Sequence, residues 1–330
     1  RRPGPRTASL MPDYQIFGGG FRSELKFPEL TPASSTRPPR WMLTATDRAG
    51  PITGAVAVGR EEVEPGIEVT LSQHSAGLRL TFDDTGTFDI SADGARIEWA
   101  HPAEPDLAAV RKDILGRVLA VCLHQQGVIS LHGSAVALSG VAVAFLAPKF
   151  HGKSTTAAAL VDSGALLMAD DIVAISTDNP PVVLPCVPFI QLWKDSASHV
   201  APASVAVPGD EGGAKLQRRW DEAGRNADSP APLAAVYLLA PVSATAAVGV
   251  RRVRLSAVEG ALAMLGHAKV GNLLGVERRA ELLQLTGDLA DRVPVYRLEI
   301  PRDFERLPEL TAALCGWHPP DGSSPPSDGS

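Results

Sequence analysis

The passage from Val141 to Ser176, VAVAFLAPKFHGKSTTAAALVDSGALLMADDIVAIS, restricts the fold more than any other part of the chain. An apolar run over 141–146 has strand character, and a connection over 147–152 leads to KSTTAAALVDSG. That segment predicts a helix opening near Lys153 and stopping at Gly164. ALLMADDIVAIS then returns to strand character. A strand, a loop, a helix and a second strand in this order predict an α/β unit whose helix N-terminus faces the end of the first strand.

That order is the one a phosphate-binding loop needs. Backbone N–H groups converge on the anion above a helix N-terminus, a lysine serves the outer phosphates and a hydroxyl serves a metal ion. Gly152, Lys153, Ser154 and Thr155 match the end of the G-x-x-x-x-G-K-[ST] pattern, but Ala147 stands where the first glycine belongs. Alanine serves there only with a negative φ. Pro148, Lys149, Phe150 and His151 are bulky for such a loop, although Lys149 and His151 add donors. The plain alternative makes Gly152 a turn residue, Lys153 a surface lysine and Ser154 or Thr155 a cap. The strand-loop-helix context favours the phosphate loop.

Asp170 and Asp171 sharpen the expectation. Transfer of a phosphoryl group to a hydroxyl needs one group to orient the acceptor and take its proton, and another to hold magnesium. Placed at the end of the second strand, the two carboxylates are expected to point to opposite sides and to divide these tasks. Repulsion between them is expected to raise one pKa. His132, in SLHGSAV, precedes a Ser-Gly turn; a lone histidine is more often structural than chemical.

The remainder organises around this unit. From Tyr14 to Trp99, alternating apolar and polar residues separated by Asp-Gly, Thr-Gly and Ala-Gly pairs predict short antiparallel strands. At Asp106 the period changes: Leu107, Val110, Ile114, Leu115, Val118, Leu119, Cys122 and Leu123 predict one amphipathic helix, capped by Asp106 and ended by Gly127. VISLHGSAVAL and VAVAFLA predict a hairpin. PLAAVYLLAPV and VPVYRLEI read as buried strands, and 256–266, 277–291 and 304–314 as helices. The expected units are an extension outside the fold over 1–12, a β-rich domain over 13–105, an α/β domain over 106–315 and a disordered tail over 316–330.

A net charge of -6 argues against bulk attraction to nucleic acid or an anionic membrane. No apolar run reaches membrane-spanning length, and the basic first ten residues precede no apolar core of a leader. Cys122, Cys186 and Cys315 lie far apart, without metal-ligand spacing. A cytoplasmic setting is expected.

Leu131-His132-Gly133, the loop ending Gly152-Lys153-Ser154-Thr155, and Ala169-Asp170-Asp171 together resemble HPr kinase/phosphorylase and, more closely, the related kinases of lasso-peptide biosynthesis. PFIQLWKDS (188–196), PGDEGGAKLQRR (208–219), LAAVYLLAP (233–241), VPVYRLEIPRDFERLPEL (293–310) and the early YQIFGGGFRSELKFPEL extend the resemblance over nearly the whole chain. It implies a P-loop kinase core like that of phosphoenolpyruvate carboxykinase, joined to a small N-terminal antiparallel β domain. It also implies an ATP- and Mg2+-dependent kinase acting on a serine hydroxyl of a peptide, such as the C-terminal serine of a lasso-peptide precursor. In that carry-over Lys153 binds the β- and γ-phosphates, and Ser154 and Asp171 serve magnesium. Asp170 is the base, His132 lies near the acceptor, and Lys215 adds positive charge. HPr kinase relatives are often oligomeric, so a homo-oligomer is allowed. Two rivals stand beside this reading: a small-molecule kinase of the same fold and a catalytically silent nucleotide-binding module.

Overall fold

Alternation between Tyr14 and Trp99 produces nine strands: β1 (Asp13–Ile16), β2 (Gly19–Ser23), β3 (Thr31–Pro32), β4 (Trp41–Thr46), β5 (Val56–Glu64), β6 (Ile67–His74), β7 (Gly77–Phe82), β8 (Gly86–Ser91) and β9 (Arg96–Ala100). They form one sheet in the order β3-β1-β2-β4-β9-β8-β7-β6-β5. The run from β5 to β9 is the expected antiparallel meander. The sheet is nevertheless mixed, because β4 runs parallel to both β2 and β9. Hairpin signals record turns between sequential strands and carry no information about strands joined by longer connections. The computed structural model describes residues 11–33, 38–207, 213, 215–220, 223–243 and 249–319. Expectations for residues 1–10, 34–37 and 320–330, and for most of 208–214, lie outside the described residues.

The connecting helix is capped at Asp106, whose side chain accepts from the amides of Ala108 and Ala109. It is not one regular helix: α1 (Leu107–Asp113) and α2 (Leu119–Gln125) flank a π turn over Ile114–Val118. Val110, Ile114, Val118 and Cys122, all fully buried, recur every four residues. A regular helix at 3.6 residues per turn lets such a stripe drift around its axis, and the wider π turn corrects the drift.

The second sheet takes β10 (Ile129–Leu138), β11 (Val141–Leu146), β12 (Leu166–Ser176), β13 (Val182–Leu184), β17 (Ala231–Val242), β18 (Arg251–Arg254) and β19 (Val295–Pro301), with α3 (Lys153–Asp162) between β11 and β12. β14 (Phe189–Trp193), β15 (Val205–Ala206) and β16 (Lys215–Arg219) form a third, smaller sheet beside α4 (Lys194–Val200). The last helices are α5 (Ala257–Gly266), α6 (Val276–Arg292) and α7 (Leu307–Trp317). α7 therefore carries the ordered chain past Gly316. The predicted hairpin is β10–β11, in register from Gly133–Leu146 to Leu138–Val141. β11 also pairs in parallel with β17, so β11, β10, β12, β13 and β17 close into a ring of neighbours. The fold is thus mixed α/β with three sheets.

Alternate residues of β10 and β11 belong to different cores. Val136, Leu138, Val143 and Phe145 pack with α3 and α7, whereas Leu131, Ala135, Ala144 and Leu146 join a larger core that runs without a break into the nine-stranded sheet and α1–α2. Burial on both faces explains the unbroken apolar runs. Ion pairs reinforce the junction: Arg111 Nε lies 2.7 Å from Glu29, and Arg117 lies 3.1 Å from Glu61.

Asp113, just before the π turn, accepts a 2.6 Å hydrogen bond from the Thr85 hydroxyl. Burial pushes its carboxyl up to about 6 against the Thr85 bond, and Asp84 adds to the rise. Between the ordinary value of 3.8 and about 6 the unfolded chain has released this proton while the folded chain keeps it. Stability therefore falls as pH rises through that window. Asp113→Asn is expected to match the parent near pH 4 and to exceed it by about 1–2 kcal/mol at pH 7 in urea denaturation.

Candidate active site

At the end of β11 the chain enters the loop 147–152, whose backbone has two left-handed residues, Phe150 at φ 67° and Gly152 at φ 86°. Ala147 is not among the positive-φ residues and is buried between β11 and α3, so the missing first glycine is not needed for the backbone path. The bulky residue in the unusual conformation is instead Phe150, at a cost of about 1–2 kcal/mol relative to glycine. α3 begins at Lys153 on Gly152, which offers no side-chain cap. The first helical hydrogen bond runs from the Thr156 amide to the Gly152 carbonyl at 2.8 Å. The amides of Lys153, Ser154 and Thr155 precede it, without intrahelical acceptors. Uncapped donors at the positive end of a helix dipole form an anion site.

Lys153 is buried, and its Nζ donates to the carbonyls of Ala147 at 2.8 Å and Pro148 at 3.1 Å. Burial lowers its pKa, while Asp170 and Asp171 pull it the other way. Lys149, Phe150, His151 and Gly152 through Thr155 line a cleft of about 1420 Å3. Pro148 contributes only its carbonyl to this arrangement. Lys215, on β16, reaches the same cleft.

The two carboxylates do not lie at a strand end. β12 continues to Ser176 because Ile172, Val173 and Ile175 pair along β10, which places Asp170 and Asp171 in mid-strand. Nor do they point to opposite sides: Asp171 has φ 68°, which breaks the alternation, and both carboxylates line the cleft. A register shift in the β10–β12 pairing at Ala135/Val136 lies close to them, as bulges beside sites commonly do.

Asp170 is buried and fully bonded. Its Oδ1 accepts from the Ser134 hydroxyl at 2.6 Å and the Ser154 hydroxyl at 2.8 Å, and its Oδ2 accepts from the Gln191 amide at 3.1 Å. Its pKa is raised, chiefly by burial; the three hydrogen bonds oppose the rise and repulsion from Asp171 is a lesser contribution. The rise expected from two adjacent charges thus has a different principal cause.

Asp171 is 56% exposed and faces the cleft. Its Oδ1 lies 3.1 Å from His132 Nδ1, and its Oδ2 lies 2.6 Å from Lys269 Nζ. Burial opposes ionisation, but the Lys269 ammonium and the His132 ring hold the carboxyl well below the usual carboxylate range. His132 lies within β10, and its amide donates to the His267 carbonyl at 2.7 Å. Gly133 follows because a Cβ there would sit 2.6 Å from the Phe145 carbonyl oxygen and 2.7 Å from Leu146 Cδ2.

Of the site residues singled out in the sequence, all but Pro148 line the cleft; Gln191, Trp193, His267 and Lys269 line it too, and Ser134 backs Asp170. Lys269 follows the end of a predicted helix in GHAKVGN, where the only signal is a histidine and a lysine two residues apart. Among the described residues no group of three His, Cys, Asp or Glu side chains could hold a metal, and no helix is long and apolar enough to cross a membrane.

No protein-family model matches the chain, and neither does any curated protein. A solved structure, the Hpr(Ser) kinase/phosphatase from Coxiella burnetii, is similar at 11% identity, over 56% of this chain and 93% of that one, with a TM-score of 0.30. At that score the likeness carries no argument about activity.

Two substitutions separate the local constraints. At Gly152 a Cβ meets nothing within 4 Å but the φ is left-handed, whereas at Gly133 the obstacle is a carbonyl. Gly152→Ala is expected to cost about 1–2 kcal/mol. Gly133→Ala, which must move a strand, should cost more, and paired urea melts read the order.

Proposed function

We propose that the chain is a phosphotransferase that moves the γ-phosphoryl group of ATP to a hydroxyl, with a serine of a peptide, such as the C-terminal serine of a lasso-peptide precursor, as the acceptor. The observation that carries the reading is the hydrogen bond from Ser154 to Asp170 beneath the uncapped N-terminus of α3. A hydroxyl and a carboxylate oxygen side by side suit magnesium, which takes one or two protein oxygens and fills its remaining positions with phosphate and water. When bound, the ion supplies charge neutralisation at the phosphate oxygens.

The chain's own groups account for the rest. The first amides of α3 hold phosphate oxygens, and Lys153 turns its ammonium from the loop carbonyls toward them. Asp170, with both oxygens already bonded, orients Ser154. Asp171 presents a more exposed carboxylate to the cleft, so it is the one of the two that an acceptor hydroxyl reaches, although its lowered pKa makes it the weaker base. This division rests on access to the cleft and exchanges the expected roles, in which Asp170 was the base and Asp171 the metal ligand; the raised pKa of Asp170 suits the expected assignment. In the transfer the acceptor oxygen bonds to the γ-phosphorus, the bond to the β-γ bridging oxygen breaks, the proton passes to Asp171, and ADP leaves. His132 and Lys269 hold Asp171 in place and keep it ionised. Three free thiols suit the reducing, cytoplasmic setting that such a reaction implies.

Calorimetry with ATP and magnesium, with circular dichroism as the fold control, tests the reading. Lys153→Ala should abolish uptake, and Asp170→Asn should weaken its dependence on magnesium. Asp171→Asn should retain binding while phosphate transfer to serine-ended peptides, read by mass, falls about 100-fold or more. A folded parent protein that takes up no nucleotide and transfers no phosphate would refute the proposal.

A further inference from the structure

Phe150 and Trp193 are among the large apolar side chains left in solvent, at 63% and 39% exposure, and they lie on the same rim of the cleft. Their rings stack, with centroids 5.1 Å apart and planes 28° from parallel. Lys215, paired with Trp193 across β14 and β16, holds its Nζ 5.5 Å from the centre of the indole. One ring of the pair therefore springs from the anion loop itself, two residues before Gly152, and the other from the end of a strand in the third sheet.

Three features distinguish this pair from an incidental surface contact. Phe150 takes a left-handed backbone that glycine would adopt without strain, so the aromatic ring is kept at a position that disfavours it. The pair adjoins the donors that would hold phosphate, which places a π-face within the same cleft as the anion site. A cation beside the indole completes a surface suited to a flat, electron-rich ring attached to an anion.

We infer that Phe150 and Trp193 form a stacking shelf for the nucleobase of the phosphate donor, a subsite that accepts any purine because it reads a ring face and makes no edge contacts. The inference rests on the proposed nucleotide site and deepens it. Stacking on aromatic side chains tolerates different bases, so ATP and GTP should bind alike, and both better than a donor with no base.

The experiment compares ATP, GTP and inorganic tripolyphosphate, each with magnesium, by calorimetry against the parent protein, Phe150→Gly and Trp193→Ala. Circular dichroism and urea melts verify the fold of each. The parent should favour ATP over tripolyphosphate roughly tenfold or more, with GTP close to ATP. Trp193→Ala, which lies outside the anion loop, should reduce that preference while leaving tripolyphosphate affinity unchanged, and Phe150→Gly should remove most of it. Equal binding of ATP and tripolyphosphate by the parent would overturn the shelf and leave the phosphate site standing. So would a preference that survives Phe150→Gly, including the case where that change weakens only the peptide acceptor. Binding of neither ligand by the folded parent would overturn the phosphate site and the shelf together.

Discussion

A carboxylate buried in protein must have its lone pairs satisfied, and at Asp170 that requirement joins three parts of the fold. Ser134 belongs to β10, Ser154 to the first turn of α3, and Gln191 to β14 of the third sheet. Each donates to the same side chain. Removing any one partner would leave a buried acceptor short of a donor, at a cost of about 1–3 kcal/mol. The position of the loop helix against the central sheet is thus coupled to the chemistry of one residue.

Asp171, its neighbour in the chain, has the opposite electrostatic character. Burial dominates at Asp170 and raises its pKa, while at Asp171 burial is outweighed by a cation and an imidazole together, which lower it. Two adjacent carboxylates with pKa values driven apart are equipped for different tasks. The separation depends on the left-handed backbone at Asp171, which turns its side chain into the cleft beside His132 and Lys269.

Sequence periodicity revealed the hairpin β10–β11, the start of α3 at Lys153 and the helices near 257, 276 and 307, because local patterns specify these elements. The loop and both aspartates were legible for the same reason, since their chemistry occupies one short segment. Lys269, His267 and Trp193 were not, because they reach the cleft from segments whose proximity arises only when distant strands pair. The parallel pairing of β4 escaped notice on the same ground. The π turn was visible in principle as a four-residue spacing, but that spacing differs from a helical one by less than half a residue per turn. The left-handed φ of Asp171 left little mark, since Asp adopts that backbone more readily than most residues but in only a small share of its occurrences.

The core that runs unbroken from the nine-stranded sheet through α1–α2 into β10 and β12 has a consequence for how the molecule fails. The cleft opens between β5 and the strands that carry His132 and the aspartates, but beneath it one apolar core reaches from the nine-stranded sheet to those strands. Segments that share a core lose their structure cooperatively. Wall and floor of the cleft then melt as one, and damage to the outermost meander is transmitted to the reacting groups as a loss of the folded population, with no need for a distorted but intact site.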